Sequence, residues 1–204
     1  MKITGIKQQV KNPERVSIFV DGKYSFSLTL NELLTEKLKV GTEVDEAQVK
    51  TLKKLSEEGK LKMRALAWLM GRPHSIREFR DYMYRKKADQ ELIDAWVEDF
   101  EAKNYLDDHK FAVWWAEGRA QHNRSNRFIQ SELYKKGVSK DIVEEVLADS
   151  EDDEKTRLQE LIAKKGHLKK YQDDPQKFMQ FLIRQGFSYS LVKEALGRAG
   201  DGAD

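Results

Sequence analysis

The sequence predicts a mainly α-helical chain: three tandem three-helix repeats forming an elongated stack, straight or curved, preceded by a small β segment with short helices. Three observations carry this. Apolar and helix-capping residues recur at spacings of 50 and 49 residues, two alternating runs flank Asp21-Gly22, and the apolar residues after Leu61 follow a helical period.

The β segment comes first. Val16, Ile18 and Val20 alternate with Arg15, Ser17 and Phe19, and after Asp21-Gly22 come Tyr24, Phe26 and Leu28, alternating with Ser25 and Ser27. Two such runs around Asp-Gly predict a hairpin, because both turn residues tolerate positive φ. Ile3 to Val10 is placed to supply a third strand, which a marginally stable hairpin needs. Thr29-Leu30-Asn31-Glu32 reads as a capping box opening a short helix through about Leu38. Val40-Gly41-Thr42 ends it, and Asp45 with Gln48 starts a helix running toward Lys60.

From Leu61 onward the pattern is helical and repeats about the equivalent residues Lys87, Gly137 and Gly186. Upstream of each lie a helix N-cap (Ser75, Ser125, Asp174) and two apolar columns (Phe79, Ile129, Phe178 and Met83, Leu133, Leu182). Downstream come an apolar residue (Ala88, Val138, Phe187), a second cap former (Asp89, Ser139, Ser188) and the apolar pairs Ile93/Val97, Val143/Leu147 and Val192/Leu196. A further helix precedes each pair: Leu61 to Met70, Asp108 to Arg119 and roughly Glu151 to Lys165. Repeats of this size bury their apolar faces by stacking on a neighbour. The expected segments are 1–44 (hairpin and short helix), 45–106 (connecting helix and first repeat), 107–149 and 150–197 (second and third repeats) and 198–204 (tail).

Composition bounds the function. The 204 residues include no cysteine, which excludes disulfides and cysteine-ligated metal. There is no run of about 18 apolar residues to span a bilayer and no apolar leader at the start, so a cytoplasmic protein is expected. The net charge of +2 is too small to argue for a polyanionic partner. Residues 61–149 carry 16 basic and 16 acidic side chains, and residues 150–204 carry 10 of each.

Catalysis finds little support. His74, His109, His122 and His167 are scattered without the i, i+4 pairing of a metal site, and neither a phosphate-binding glycine loop nor a nucleophile elbow is present. Asp107-Asp108 and Asp152-Asp153 read as helix-start acids favoured by the dipole. Trp68 and Trp96 fall on apolar faces and are expected in the core. Trp114 and Trp115 point about 100° apart on a helix, so one is left to seal a joint between repeats or to meet a partner. No cofactor, metal or small-molecule substrate is expected.

What does recur is positive charge near the second helix of each repeat. Arg72, Arg77 and Arg80 belong to the first repeat, Arg119, Arg124, Arg127, Lys135 and Lys136 to the second, and Lys164, Lys165 and Arg184 to the third. Three readings are open: a solvated face, a surface for a protein partner, or a phosphate-contacting patch. Stacked repeats would align these residues into a stripe.

These residues resemble the RecX family, bacterial regulators of the RecA recombinase. The resemblance rests on Arg72-Pro73-His74-Ser75 with Glu78-Phe79, Tyr105-Leu106-Asp107-Asp108 with Phe111-Ala112, and Arg119. It continues through Glu132-Leu133 with Lys136-Gly137-Val138 and closes on Arg184-Gln185-Gly186-Phe187-Ser188, spanning about residues 61–197 in family order. Arg15-Val16 to Asp21-Gly22-Lys23-Tyr24 looks like the β extension of longer members. Phe79 and Met83 stand where leucine is usual, and Asn104 where glycine is. The resemblance implies a non-enzymatic, monomeric modulator that binds along the groove of the RecA–DNA filament, with DNA phosphates as a secondary contact. It would bridge successive protomers and restrain filament growth, ATP hydrolysis and strand exchange in recombination and the SOS response. The competing expectations are a helix-turn-helix-like DNA-binding protein and a general helical-repeat adaptor.

Overall fold

In the computed structural model, which describes residues 1–148 and 151–200, Asp21 and Gly22 both take left-handed backbone (φ 47° and 81°). They join β2 (Asn12–Val20) to β3 (Lys23–Thr29) as a two-residue hairpin turn, with Val20 paired to Lys23. The third strand expected from Ile3 onward is present as β1 (Ile3–Gln9), giving an antiparallel sheet of order β1-β2-β3. Ile3, Val16, Ile18, Val20, Phe26 and Leu28 bury one face of it against Val44, Val49 and Leu52.

The capping box forms at α1 (Leu30–Thr35): the Glu32 N–H donates to Thr29 Oγ1 at 3.1 Å and the Thr29 N–H to Glu32 Oε2 at 2.7 Å. The helix stops before Leu38 because Lys37 turns left-handed at φ 50°. The helices expected at Asp45 to Lys60 and Leu61 to Met70 are instead one, α2 (Glu46–Leu69). Gly59 does not interrupt it. A Cβ there would lie 2.4 Å from Glu32 Oε1, so the glycine serves the close approach of the capping carboxylate.

The chain divides into two compact units, Met1–Trp68 and Leu69–Asp204. The second holds α3 (Ile76–Arg85), α4 (Gln90–Ala102), α5 (Asp108–Ala120), α6 (Asn126–Lys135), α7 (Lys140–Leu147), α8 (Glu151–Gly166), α9 (Lys169–Gln172), α10 (Pro175–Arg184) and α11 (Tyr189–Gly200). The columns read from the sequence are the cores of the repeats. Phe79, Met83, Ile93 and Val97 are buried in the first, Ile129, Leu133, Val138 and Val143 in the second, and Phe178, Leu182, Phe187 and Val192 in the third. The third repeat departs from three helices by the extra turn α9, whose Tyr171 ring packs 4.7 Å from Phe178.

The first caps act as expected: Ser75, Ser125 and Asp174 accept from Glu78, Phe128 and Lys177 N–H groups at 3.1, 3.1 and 2.9 Å. Of the second caps, Ser188 accepts from Leu191 at 3.3 Å, while Asp89 and Ser139 make no capping bond. Asn104 supports the turn where glycine is usual, at φ 59°. Trp96 is buried, and Trp68 only half-buried. Of the expected tail, residues 201–204 lie outside those described, as does the junction between residues 149 and 150.

Candidate interaction surface

The repeats meet through their helix ends. At the head of α3 the Ser75 hydroxyl, besides capping its own helix, donates to the Lys136 carbonyl of the second repeat at 2.8 Å. The Ile76 N–H, one of the donors a helix leaves open at its start, reaches Asp108 Oδ1 at 2.8 Å. Burial pushes the Asp108 carboxyl up, against the lowering effect of that hydrogen bond. Asp107 meanwhile caps α5 through the Lys110 N–H at 2.9 Å, so the adjacent acids serve two helices.

The next joint uses the equivalent Ser125 and Asn126, with a backbone donor in place of the serine hydroxyl. The Ser125 N–H points to the Gln185 carbonyl at 3.4 Å, and the Asn126 N–H donates to Glu154 Oε1 at 2.8 Å. Lys136 and Gln185 hold the same place in their repeats, directly before the turn glycines. The C-terminal turn of α6 therefore sits on the N-terminus of α3, and that of α10 on the N-terminus of α6. The three second helices are thus joined end to end, the C-terminal turn of one against the N-terminus of another.

This contact explains the glycines. Gly137 and Gly186 have φ of 83° and 99°, and a Cβ on them would lie 2.8 Å from Arg77 Cβ and 2.9 Å from Phe128 Cβ. Both backbone conformation and space demand glycine. Lys87 holds the equivalent left-handed position (φ 60°) in the first repeat, which has no earlier repeat to meet.

Glu78 gathers the charge at the first joint. Its side chain is 13% exposed and accepts from Arg72 Nη1 at 3.0 Å and Lys136 Nζ at 2.5 Å, with His74 Nδ1 at 3.1 Å. Burial would raise this carboxyl, but the hydrogen bonds and charges of Arg72 and Lys136 prevail and hold it down at about 2. Beside it, the Trp115 indole N–H donates to Glu132 Oε2 at 2.9 Å, and Arg119 Nε to the same oxygen at 2.5 Å. Arg119 and Lys136 lie over the Trp115 ring at 4.2 and 4.8 Å from its centroid. Trp115 thus packs on the core of its own repeat, 5.6 Å from the Phe111 ring, and borders the joint through Lys136. Trp114, under Arg72 at 5.2 Å, stays partly open.

The basic residues singled out from the sequence therefore separate into two groups. Arg72, Arg119 and Lys136 belong to the joint network. Arg80 pairs with Asp94, which the Gln90 amide and the Arg80 guanidinium hold below the usual carboxylate range. Arg124 donates to the Gln185 amide oxygen across the second joint and lies 4.5 Å over the Phe128 ring. Arg77, Arg127, Lys135, Lys164 and Arg184 are exposed and Lys165 half-buried, and none of these has an ion pair among the described residues. The register also picks out Arg85, the exposed last residue of α3, as the equivalent of Lys135 and Arg184 at the ends of α6 and α10. Its place in the 50-residue period is the signal that was available for it.

Among the described residues no three His, Asp or Glu groups are placed to hold a metal, and no helix is long and apolar enough to cross a membrane. A depression of about 610 Å³ in the first unit is lined by Met1, Lys2, Asp21, Glu43, Val44, Asp45 and Gln48, which include no activated nucleophile.

Comparison with known proteins places these features. Residues 1–45 match the family described as the regulatory protein RecX N-terminal domain, and residues 107–147 the one described as RecX, second three-helix domain. Regulatory protein RecX of Bacillus pumilus is 30% identical over 207 residues, covering 99% of this chain and 79% of that one. Regulatory protein RecX of Clostridium botulinum strain Alaska E43 is 29% identical over 204 residues, covering 97% and 96%. A crystal structure of regulatory protein RecX superposes with a TM-score of 0.74 at 22% identity over 96% of this chain and 98% of the other, a likeness of fold. RecX from Lactobacillus salivarius gives a TM-score of 0.58 at 19% identity, covering 69% of this chain and 95% of that structure.

Proposed function

The chain belongs to the RecX family of regulatory proteins, and from that premise we propose that it is a non-enzymatic, monomeric regulator that binds the RecA–DNA filament along its groove in the cytoplasm. The observation that carries the reading is the end-to-end series of α3, α6 and α10, joined at equivalent residues and each ending on an exposed basic residue. A periodic surface fits a periodic partner. Contacts that are weak singly combine when one chain spans several subunits, because each contact raises the effective concentration of the next. Binding one filament state more tightly than another shifts the equilibrium by that difference in affinity. A filament conformation held in this way is restrained in extension, ATP hydrolysis and strand exchange.

A duplex-binding protein would bind naked DNA tightly with a steep salt dependence. The 16 basic and 16 acidic residues of 61–149, and the 10 of each in 150–204, supply no such field. The test is to titrate the purified chain into RecA filaments on single-stranded DNA and follow ATP hydrolysis, filament length and strand exchange. All three fall with added protein if the reading is right. Unchanged values at excess protein overturn it.

A further inference from the structure

The repeat register holds a feature that neither the cores nor the joints use. Directly before the basic residue that ends each second helix stands a large apolar residue that the fold leaves open: Tyr84, Tyr134 and Ile183, exposed to 48%, 40% and 38%. With Arg85, Lys135 and Arg184 they make an apolar–basic pair at the same place in all three repeats, 50 and 49 residues apart. The cores are already closed by the preceding column Met83, Leu133 and Leu182, which is fully buried. The tyrosine hydroxyls are held within the chain, Tyr84 by Gln90 and Tyr134 by Gln130 at 3.2 Å, so the rings themselves are what is left for a partner.

We infer that Tyr84-Arg85, Tyr134-Lys135 and Ile183-Arg184 form a contact ladder, one rung per repeat, each rung docking on an apolar site flanked by acidic side chains on a successive subunit of a protein filament. This deepens the function proposed above and rests on it. The end-to-end series sets the rung spacing: each second helix has 10 residues, and with its closing turn this amounts to roughly 15–20 Å. Apolar side chains exposed in register, each beside a cation with no ion pair among the described residues, suit a protein surface of opposite charge. Single-stranded nucleic acid fits less well, since base stacking needs a π-face on every rung and Ile183 has none.

The experiment uses the full chain with each rung removed, as Tyr84→Ala/Arg85→Ala, Tyr134→Ala/Lys135→Ala and Ile183→Ala/Arg184→Ala, and with all three removed together. Binding is measured to preformed RecA filaments, to unpolymerised recombinase and to naked single-stranded DNA. Each missing rung is expected to weaken filament binding by about 5- to 10-fold, with losses multiplying to more than about 100-fold for the triple variant. Filaments should be bound more tightly than unpolymerised subunits. Because the residues are exposed, melting temperatures should match the parent chain. If any variant unfolds, Arg85→Glu, Lys135→Glu and Arg184→Glu ask the same question with the apolar residues kept.

A triple variant that binds filaments like the parent overturns the ladder and leaves the proposed function standing. A parent chain that ignores filaments overturns both. Equal losses on naked DNA and on filaments overturn the protein docking site in favour of a row for bases.

Discussion

Replacing Glu78 with glutamine tests whether the first joint is electrostatic in the sense that its geometry implies. The substitution keeps the shape and one acceptor oxygen, turns the other oxygen into an NH2 donor, and removes the charge that Arg72 and Lys136 face at 3.0 and 2.5 Å. The carboxyl is held at about 2 against an ordinary 4.5, a displacement that corresponds to about 3 kcal/mol at full value. Arg72 and Lys136 are 37% and 32% exposed, so solvent screens part of this, and about 2 kcal/mol is expected at neutral pH. The sign follows from linkage. A carboxyl whose pKa is lowered on folding contributes fully above its unfolded value and loses the contribution as pH falls toward its folded value. The parent chain should therefore lose about 2 kcal/mol more than Glu78→Gln between pH 5 and pH 2, the two converging at the acid end. Urea unfolding across that range, followed by tryptophan fluorescence and circular dichroism on the same samples, measures it. Parallel stability curves for the two chains, or a Glu78 carboxyl that titrates near 4.5 by NMR, would refute the argument.

Two other perturbations probe the joints from the backbone side. Gly137→Ala and Gly186→Ala should each destabilise by about 2–3 kcal/mol in thermal melts, from the positive φ together with the overlaps at Arg77 and Phe128, whereas Lys87→Gly, which relieves a left-handed lysine, should be neutral or stabilising by up to about 1 kcal/mol. Ser75→Ala should lower the unfolding free energy by about 1–2 kcal/mol and Ser125→Ala by about 1 kcal/mol in urea titrations, because the first hydroxyl both caps α3 and holds the Lys136 carbonyl while the second only caps α6.

The elements that sequence reasoning located are those set by local chemistry. Asp21-Gly22 can hardly be other than a hairpin turn, and Ser75, Ser125 and Asp174 start helices because their side chains satisfy N–H groups that a helix leaves open. The register of the repeats was legible because a buried column must stay apolar wherever it recurs. Long-range contact was the hidden part. Gly59 is a weak point in a helix by its propensity alone, and only the Glu32 carboxylate packed against it shows why a glycine stands inside the continuous α2. The same holds for charge: a basic residue reads alike in sequence whether it is bound by Glu78, as Arg72 and Lys136 are, or open, as Lys135 is.

That last contrast bears on how such a chain changes over time. Lys135 and Lys136 are neighbours, as are Arg184 and Gln185, yet the first of each pair is exposed and the second meets the preceding repeat. The helix closes between them, turning adjacent residues to opposite duties. The joint residue works through its carbonyl, which any residue supplies, and through its side chain, which differs between the joints: the Lys136 ammonium meets Glu78, and the Gln185 amide oxygen accepts from Arg124. The exposed residue has no ion pair among the described residues, but as the last residue of its helix a basic side chain there complements the helix dipole in all three repeats. In the first repeat even the joint duty lapses: Lys86, equivalent to Lys136 and Gln185, is exposed with its ammonium 5.5 Å from the Tyr82 ring, and the neighbouring Arg85 is basic all the same. Charge that persists where the joint is absent is not owed to the joint, and reversing Arg85 alone separates what remains: a fall in melting temperature reads the helix dipole's share, and a fall in filament binding at unchanged melting temperature reads the contact proposed above.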